Sequence, residues 1–454
     1  MEKLKKSLLY TYGVGDLFFV LMVCMEMYYF TAFLTDKAEF TLTTVSAIQY
    51  ITGFFDVGCA LLAGIVLQKI NLKFGGKYRS WFLIGPLPIV LLFSLQFTKI
   101  GSEMTAISII IIAFIASHLL WNIVVAGSGA MVGRMTKRPD EITVLSTSRA
   151  QGMAAAGLIF SATGMPLINY FSARFGQISG MTITVAVYGF LMILGYLYIY
   201  KITAGKDPYD AEVRHAAQNQ DKLSIKEIIS LVLRNPPLRI LVISEIFRSS
   251  CVQLVAATAF YYFQYVRNDL GFISVFLVIT AAASFTGATL ARWIGPRLGK
   301  RRTYCLALIC AGMGYSSSYF LGTSSWLFSL LIGIGAMFLA VASGMNTALY
   351  SDTVVYGEWK TGKNIRAFTM SLQNVAIKLG IIIRVTVVTG GLGAIGYIAN
   401  TDPSDQVVNG IASLMSFSPM VVCFIAAAIF FFGYKINDSE VPKMREEIET
   451  RAKL

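Results

Sequence analysis

Charge is scarce in this sequence. Only 14% of its 454 residues are Asp, Glu, Lys or Arg, where a soluble domain carries about 25%. Such a chain cannot clothe a water-facing surface in the usual way. Histidine is scarcer still: His118 and His215 are the only two, and they form no cluster. The six cysteines (Cys24, Cys59, Cys251, Cys305, Cys310 and Cys423) show no metal-ligand spacing and all fall in apolar stretches. They are expected to be buried small hydrophobes, and no metal site is expected. His118 also lies in an apolar stretch and is expected to be a packing residue rather than a proton relay. No nucleophile–base pairing is visible, so an enzyme is not expected, nor a cofactor. A cleavable leader is not visible either. The first apolar run has no small-residue cleavage site and is as long as the others.

What the chain has in quantity is apolar length: 56% of its residues are hydrophobic. Twelve stretches are long enough to cross a bilayer, at 10–34, 43–67, 80–98, 104–132, 147–172, 179–201, 238–265, 271–294, 303–322, 325–350, 366–390 and 409–434. A spanning helix needs roughly 20 mostly apolar residues. The expected fold class is therefore an all-α membrane protein of twelve transmembrane helices in two six-helix halves.

The net charge of +13 is compatible with nucleic-acid binding, but its distribution argues otherwise. Basic residues gather in alternate gaps, among them Lys69, Lys73, Lys77 and Arg79, then Lys137 and Arg138, then Arg297, Lys300, Arg301 and Arg302. The opposite gaps hold only Lys37, Lys99, Arg174 and Arg267. Cytoplasmic loops carry the Lys/Arg excess, beside anionic lipid. Both termini and the middle loop are expected to be cytoplasmic, in a cell inner (plasma) membrane. The expected partners are membrane lipid and a small-molecule substrate, not nucleic acid, and a monomer is expected.

The polar segment 202–237 divides the spans into six and six. The expected organisation is a first half at 1–201, this middle loop, a second half at 238–434, and a tail at 435–454. The halves echo each other. Gly75-Gly76-Lys77-Tyr78-Arg79 follows the second span, and Gly299-Lys300-Arg301-Arg302 follows the eighth. Parallel six-helix repeats are the plan of the major facilitator architecture, with substrate held near the midplane.

Ionisable residues at membrane depth are costly and usually serve a cavity or a partner. Here they are Asp16, Glu26, Asp56, Arg149, Glu245, Arg248, Arg292, Lys378 and Arg384. Glu245 and Arg248 are spaced to pair on one helix face. Arg292 is placed to snorkel. Asp16 reads as a site of tight packing after Tyr12-Gly13-Val14-Gly15 and an anchor for basic loops. Asp56 is mid-helix with no base within a turn, and Lys378 is likewise mid-helix. The simplest resolution sets them against each other, a carboxylate and an ammonium exchanging a cation or proton against substrate.

The run from Ser351 through Asp352, Tyr356, Gly357, Glu358 and Trp359 to Gly362 resembles the tenth-to-eleventh helix loop of the glycoside-pentoside-hexuronide:cation symporters. This is the melibiose-permease branch of the major facilitator superfamily. Tyr12-Gly13-Val14-Gly15-Asp16, Gly76-Lys77-Tyr78-Arg79-Ser80-Trp81, Thr136-Lys137…Arg149, Asn235-Pro236-Pro237 and Gln373…Lys378-Leu379-Gly380 resemble further family motifs across the whole chain. The resemblance implies cation-coupled transport of a sugar or glycoside. It makes Asp56, Asn122 and Lys378 the coupling residues, and Arg149, Gln373 and Arg384 the substrate side. Asp16, Lys137, Asp352, Tyr356, Gly357, Glu358 and Trp359 fall to gating or structure.

The departures matter as much. A second carboxylate usual in the second helix is replaced by Ala60, with Cys59 between. Asp56 plus Asn122 is thin for sodium, which wants several hard oxygens, whereas one carboxylate suffices for a proton. Val20 and Val125 stand where melibiose permease has its sugar-holding acids, and Arg384 stands where glycine is common. The pocket leans cationic and suits an anionic sugar such as a hexuronide. The rival readings are a carrier of a non-sugar organic or amphipathic anion, and an uncoupled uniporter or sensor.

Overall fold

A computed structural model describes residues 3–70, 75–136, 138–207, 230–363 and 366–453. Fifteen α-helices carry them: α1 Lys6–Thr11, α2 Val14–Ala32, α3 Leu42–Lys69, α4 Arg79–Ile84, α5 Pro86–Leu95, α6 Glu103–Met135, α7 Pro139–Phe175, α8 Gln177–Ile202, α9 Pro236–Tyr261, α10 Ile273–Leu298, α11 Lys300–Leu321, α12 Ser325–Thr361, α13 Arg366–Ala394, α14 Asp405–Gly433 and α15 Glu440–Lys453. There is no strand among the described residues.

Among the described residues, eleven helical segments have the length and apolarity to cross a membrane. The twelfth crossing, expected at 80–98, arrives in two pieces, α4 and the short apolar α5. The break is Gly85-Pro86. Proline has no N–H to give to the preceding turn and bends the helix there. The ladder resumes at once, since the Gly85 N–H donates to the Trp81 carbonyl at 3.0 Å and the Ile89 N–H to that of Gly85 at 3.1 Å. Helix starts are capped by short polar side chains: Thr41, Ser102, Ser324 and Ser404 each accept from a backbone N–H three residues on, satisfying donors the first turn leaves bare.

The chain divides into two compact units. One is Met1–Ala217 with Ile273–Val275 and Ile398–Thr401; the other is Gln218–Phe272, Phe276–Tyr397 and Asp402–Leu454. Each is cored by tightly buried aromatics, such as Tyr29, Tyr188 and Tyr196 in the first and Tyr261, Tyr304 and Tyr350 in the second.

The repeat read from the basic turns reappears in the backbone. α2 ends in a π-helical turn at Phe33–Lys37, and α9 ends in another at Tyr262–Val266. Such turns are rare and gather at functional places. Residues 435–454, expected as a plain tail, hold the helix α15. It docks on the end of α12, where Trp359 Nε1 donates to Glu447 at 2.6 Å and Arg451 donates to the Trp359 carbonyl at 2.8 Å.

Candidate functional site

In the first unit, the opening glycine motif lets backbone meet backbone. A Cβ on Gly13 would strike the Ser148 carbonyl of α7, and one on Gly152 would strike the Gly13 carbonyl. The Ser148 hydroxyl receives the Gly13 N–H at 3.0 Å and donates to the Tyr10 carbonyl at 2.9 Å. This close approach brings Asp16 under Arg149. Arg149 Nε lies 2.7 Å from Asp16 Oδ2, and its Nη2 lies 2.9 Å from Oδ1. Asp16 therefore anchors a membrane arginine; the basic loops are held elsewhere. The Asp16 side chain is 1% exposed but that of Arg149 is 17%, so the arginine is not fully enclosed.

Asp56, on α3, is buried. Asn122 of α6 donates its amide nitrogen to Asp56 Oδ1 at 3.2 Å and to the His118 carbonyl at 2.7 Å. The His118 carbonyl can only accept, which orients the amide nitrogen toward it. His118 does pack as expected, with its ring against Phe114 and Trp121 at 3.6 and 4.2 Å. It also has a partner the sequence did not suggest: its Nε2 lies 3.3 Å from Glu26 Oε2 of α2.

In the second unit, Glu245 and Arg248 of α9 pair as expected, at 2.7 and 2.9 Å. Tyr304 of α11 and Asn346 of α12 each add a donor to Glu245 at 2.7 Å. Helix α13 carries Gln373 and Lys378, both half-buried, and Arg384, which is buried. Gln373 lies against the sulfur of Met370 at 3.4 Å.

The motif around Tyr356 is mainly a joint. Asp352 forms an ion pair with Lys300 of the second basic turn. Gly357 leaves room for Asn235, whose amide nitrogen would lie 2.9 Å from a Cβ there. That amide donates to the Thr353 carbonyl at 2.8 Å, while its oxygen caps α9 at the Leu238 N–H. Tyr356 receives Lys360 Nζ at 3.4 Å, and the Glu358 carbonyl accepts the Gly362 N–H that closes the helix at 2.8 Å. Lys137 lies outside the described residues.

The first basic turn is tied down by Asp207, missed as a site residue. Its carboxylate accepts the N–H groups of Tyr78 and Arg79 at 2.6 and 3.0 Å and faces Arg134 at 3.6 Å. Burial, with this carboxylate adding to it, pushes the Tyr78 phenol above its ordinary range. In the second unit Asp438 accepts the Lys300 N–H at 2.8 Å.

Long apolar spans and a repeated turn define a multi-pass membrane protein, and its likenesses make it a transporter rather than an enzyme. The sequence profile of the MFS/sugar transport protein family matches residues 11–438, and the chain belongs to that family, in its melibiose-permease-like branch. It is 29% identical to a putative sulfoquinovose importer of Salmonella typhimurium, over 97% of this chain and 92% of the relative. It is 25% identical to a glucuronide carrier protein homolog of Escherichia coli, over 98% and 95%. The isoprimeverose transporter of Lactiplantibacillus pentosus is 24% identical, over 97% and 91%. Among solved structures, a D-xylose-proton symporter has a TM-score of 0.67 at 13% identity, covering 94% of this chain and 98% of that one. That likeness shows the fold.

Proposed function

We propose that this chain carries an anionic sugar, a sulfosugar or hexuronide, into the cell together with a proton, by alternating access. The observation that carries the coupling ion is the direction of Asn122. Its nitrogen, not its oxygen, faces Asp56, so Asn122 brings no hard oxygen to that carboxylate, as sodium would require. Asp56 is the proposed coupling carboxylate, with Lys378 of the other unit as its proposed charge partner. Arg149, partly exposed, is the proposed anchor for a carboxylate or sulfonate, which a guanidinium grips in bidentate fashion. Gln373 and Arg384 are proposed on the substrate side. Relatives named for sulfoquinovose and glucuronides support an anionic substrate. The proposed setting is the inner membrane, with both termini cytoplasmic.

Purified protein in proteoliposomes tests this. Sulfoquinovose or glucuronic acid should accumulate under an inward proton gradient and ignore sodium. Asp56→Asn should abolish accumulation and leave exchange. Strong stimulation by sodium with indifference to pH would defeat the ion assignment. Tight binding of a neutral glycoside, with none of its uronate, would defeat the anionic one.

A further inference from the structure

We propose that Glu26 and His118 form a one-proton site that this protein loads and empties as it works. The role rests on the proton-coupled reading above and adds a second group beside Asp56.

The tautomer of His118 follows from its neighbours. Nδ1 lies 2.9 Å from the Phe114 carbonyl, which can only accept, so Nδ1 carries a hydrogen. The Ser117 hydroxyl does not alter this. It donates to that same carbonyl at 2.9 Å and accepts from Gln96 at 2.7 Å, so it meets Nδ1 at 3.4 Å as an acceptor. In a neutral ring, Nε2 is then a bare lone pair, 3.3 Å from Glu26 Oε2, a buried oxygen that has no hydrogen-bond partner. An ionised Glu26 opposite a neutral ring would set two acceptors against each other, with the His118 side chain 1% exposed. One added proton resolves the conflict. It makes either an imidazolium beside a carboxylate, or a carboxylic acid donating to Nε2.

The surroundings hold the pair in place. Phe114 lies parallel to the imidazole within 9° and Trp121 within 28°, packing its faces, and aromatic faces favour a cation. The other groups around His118 are these. From α3, Asp56 is reached through Asn122, and the Cys59 thiol donates to the Ile115 carbonyl. From α5 comes neutral Gln96, through Ser117. Among the described residues, no lysine or arginine forms an ion pair with Glu26. Losing the proton leaves lone pairs opposed between α2 and α6, which meet here through Phe19–Trp121 and Phe30–Phe114. Protonation thus controls the fit of two helices next to Asp56.

The test uses the full chain with His215→Asn, leaving one imidazole, labelled with nitrogen-15 histidine in lipid nanodiscs. The Nδ1 signal should be that of a protonated nitrogen. The Nε2 signal should move in Glu26→Gln, whose amide can donate to Nε2 directly. In proteoliposomes, Glu26→Gln should lower proton-driven accumulation of sulfoquinovose or glucuronic acid about tenfold or more, with exchange of the same sugar kept. A bare Nδ1, or an Nε2 signal that Glu26→Gln leaves unmoved, overturns the site. Full accumulation by Glu26→Gln beside none by Asp56→Asn overturns its role and leaves the Asp56 reading standing. Wild-type uptake that ignores pH sinks the coupling reading itself and with it the dyad's transport role.

Discussion

In the first half of the chain, Asp16 reaches across to Arg149 on another helix, whereas in the second half Glu245 finds Arg248 one turn along its own. The second pair is closed. Glu245 also takes donors from Tyr304 and Asn346, and both charged side chains are under 10% exposed. The first pair is sealed on the acid and open on the arginine. One cluster is therefore built to hold three helices together. The other holds two helices and leaves a cation available.

The sharpest way to break this contrast is Glu245→Ala. It strands Arg248 and the donors of Tyr304 and Asn346 in a dry site. Removing one partner of a buried pair costs about 3–5 kcal/mol. Thermal unfolding in detergent should show a large loss, and little folded protein should be recovered. The double change Glu245→Met with Arg248→Met should restore much of that stability, because apolar residues of similar size replace buried pairs without penalty. A double variant as unstable as the single one would mean the cluster does more than satisfy its own charges.

Asp16→Ala should cost less, about 2 kcal/mol, the scale of charge-assisted hydrogen bonds, because Arg149 is already partly exposed. Its double variant, Asp16→Ala with Arg149→Met, should regain stability without regaining binding of sulfoquinovose or glucuronic acid. Binding that survives in a folded Arg149 variant would show that Arg149 holds no ligand. Comparing the two double variants separates a structural pair from a working one.

Much of this was legible in the sequence, for identifiable reasons. Span count and repeat follow from apolar length and from glycine turns at matching places, which are local signals. Glu245–Arg248 was legible because helical spacing alone joins the two residues. Asp16–Arg149 was not derivable as a pair: each was flagged for being charged at membrane depth, but only the packing of Gly13 on Ser148 joins them. The Glu26–His118 contact has no sequence signal, since nothing in either neighbourhood points to the other helix. The division of the third span was missed because Gly85-Pro86 sits inside an apolar run that reads as continuous. The Asp56–Lys378 pairing stands as a proposal.

The smallest effects belong to the two basic turns, where the halves are most alike. Gly76 and Gly299 both have positive φ, 100° and 81°, a conformation that side chains with a Cβ rarely adopt. Each is followed by a helix start whose N–H groups a distant aspartate accepts, Asp207 in one half and Asp438 in the other. The aspartates differ in setting. Asp207 is buried, takes two backbone donors and faces Arg134; the Asp438 side chain is 39% exposed and takes one backbone donor. Loss of a capping side chain costs about 0.5–2 kcal/mol, and exposure to solvent weakens charge pairing. Asp207→Ala should therefore fall near the upper end of that range and Asp438→Ala near the lower, read as shifts in detergent melting temperature. Equal shifts would mean that burial of the cap does not govern its strength, and that the two turns are equivalent in energy as well as in shape.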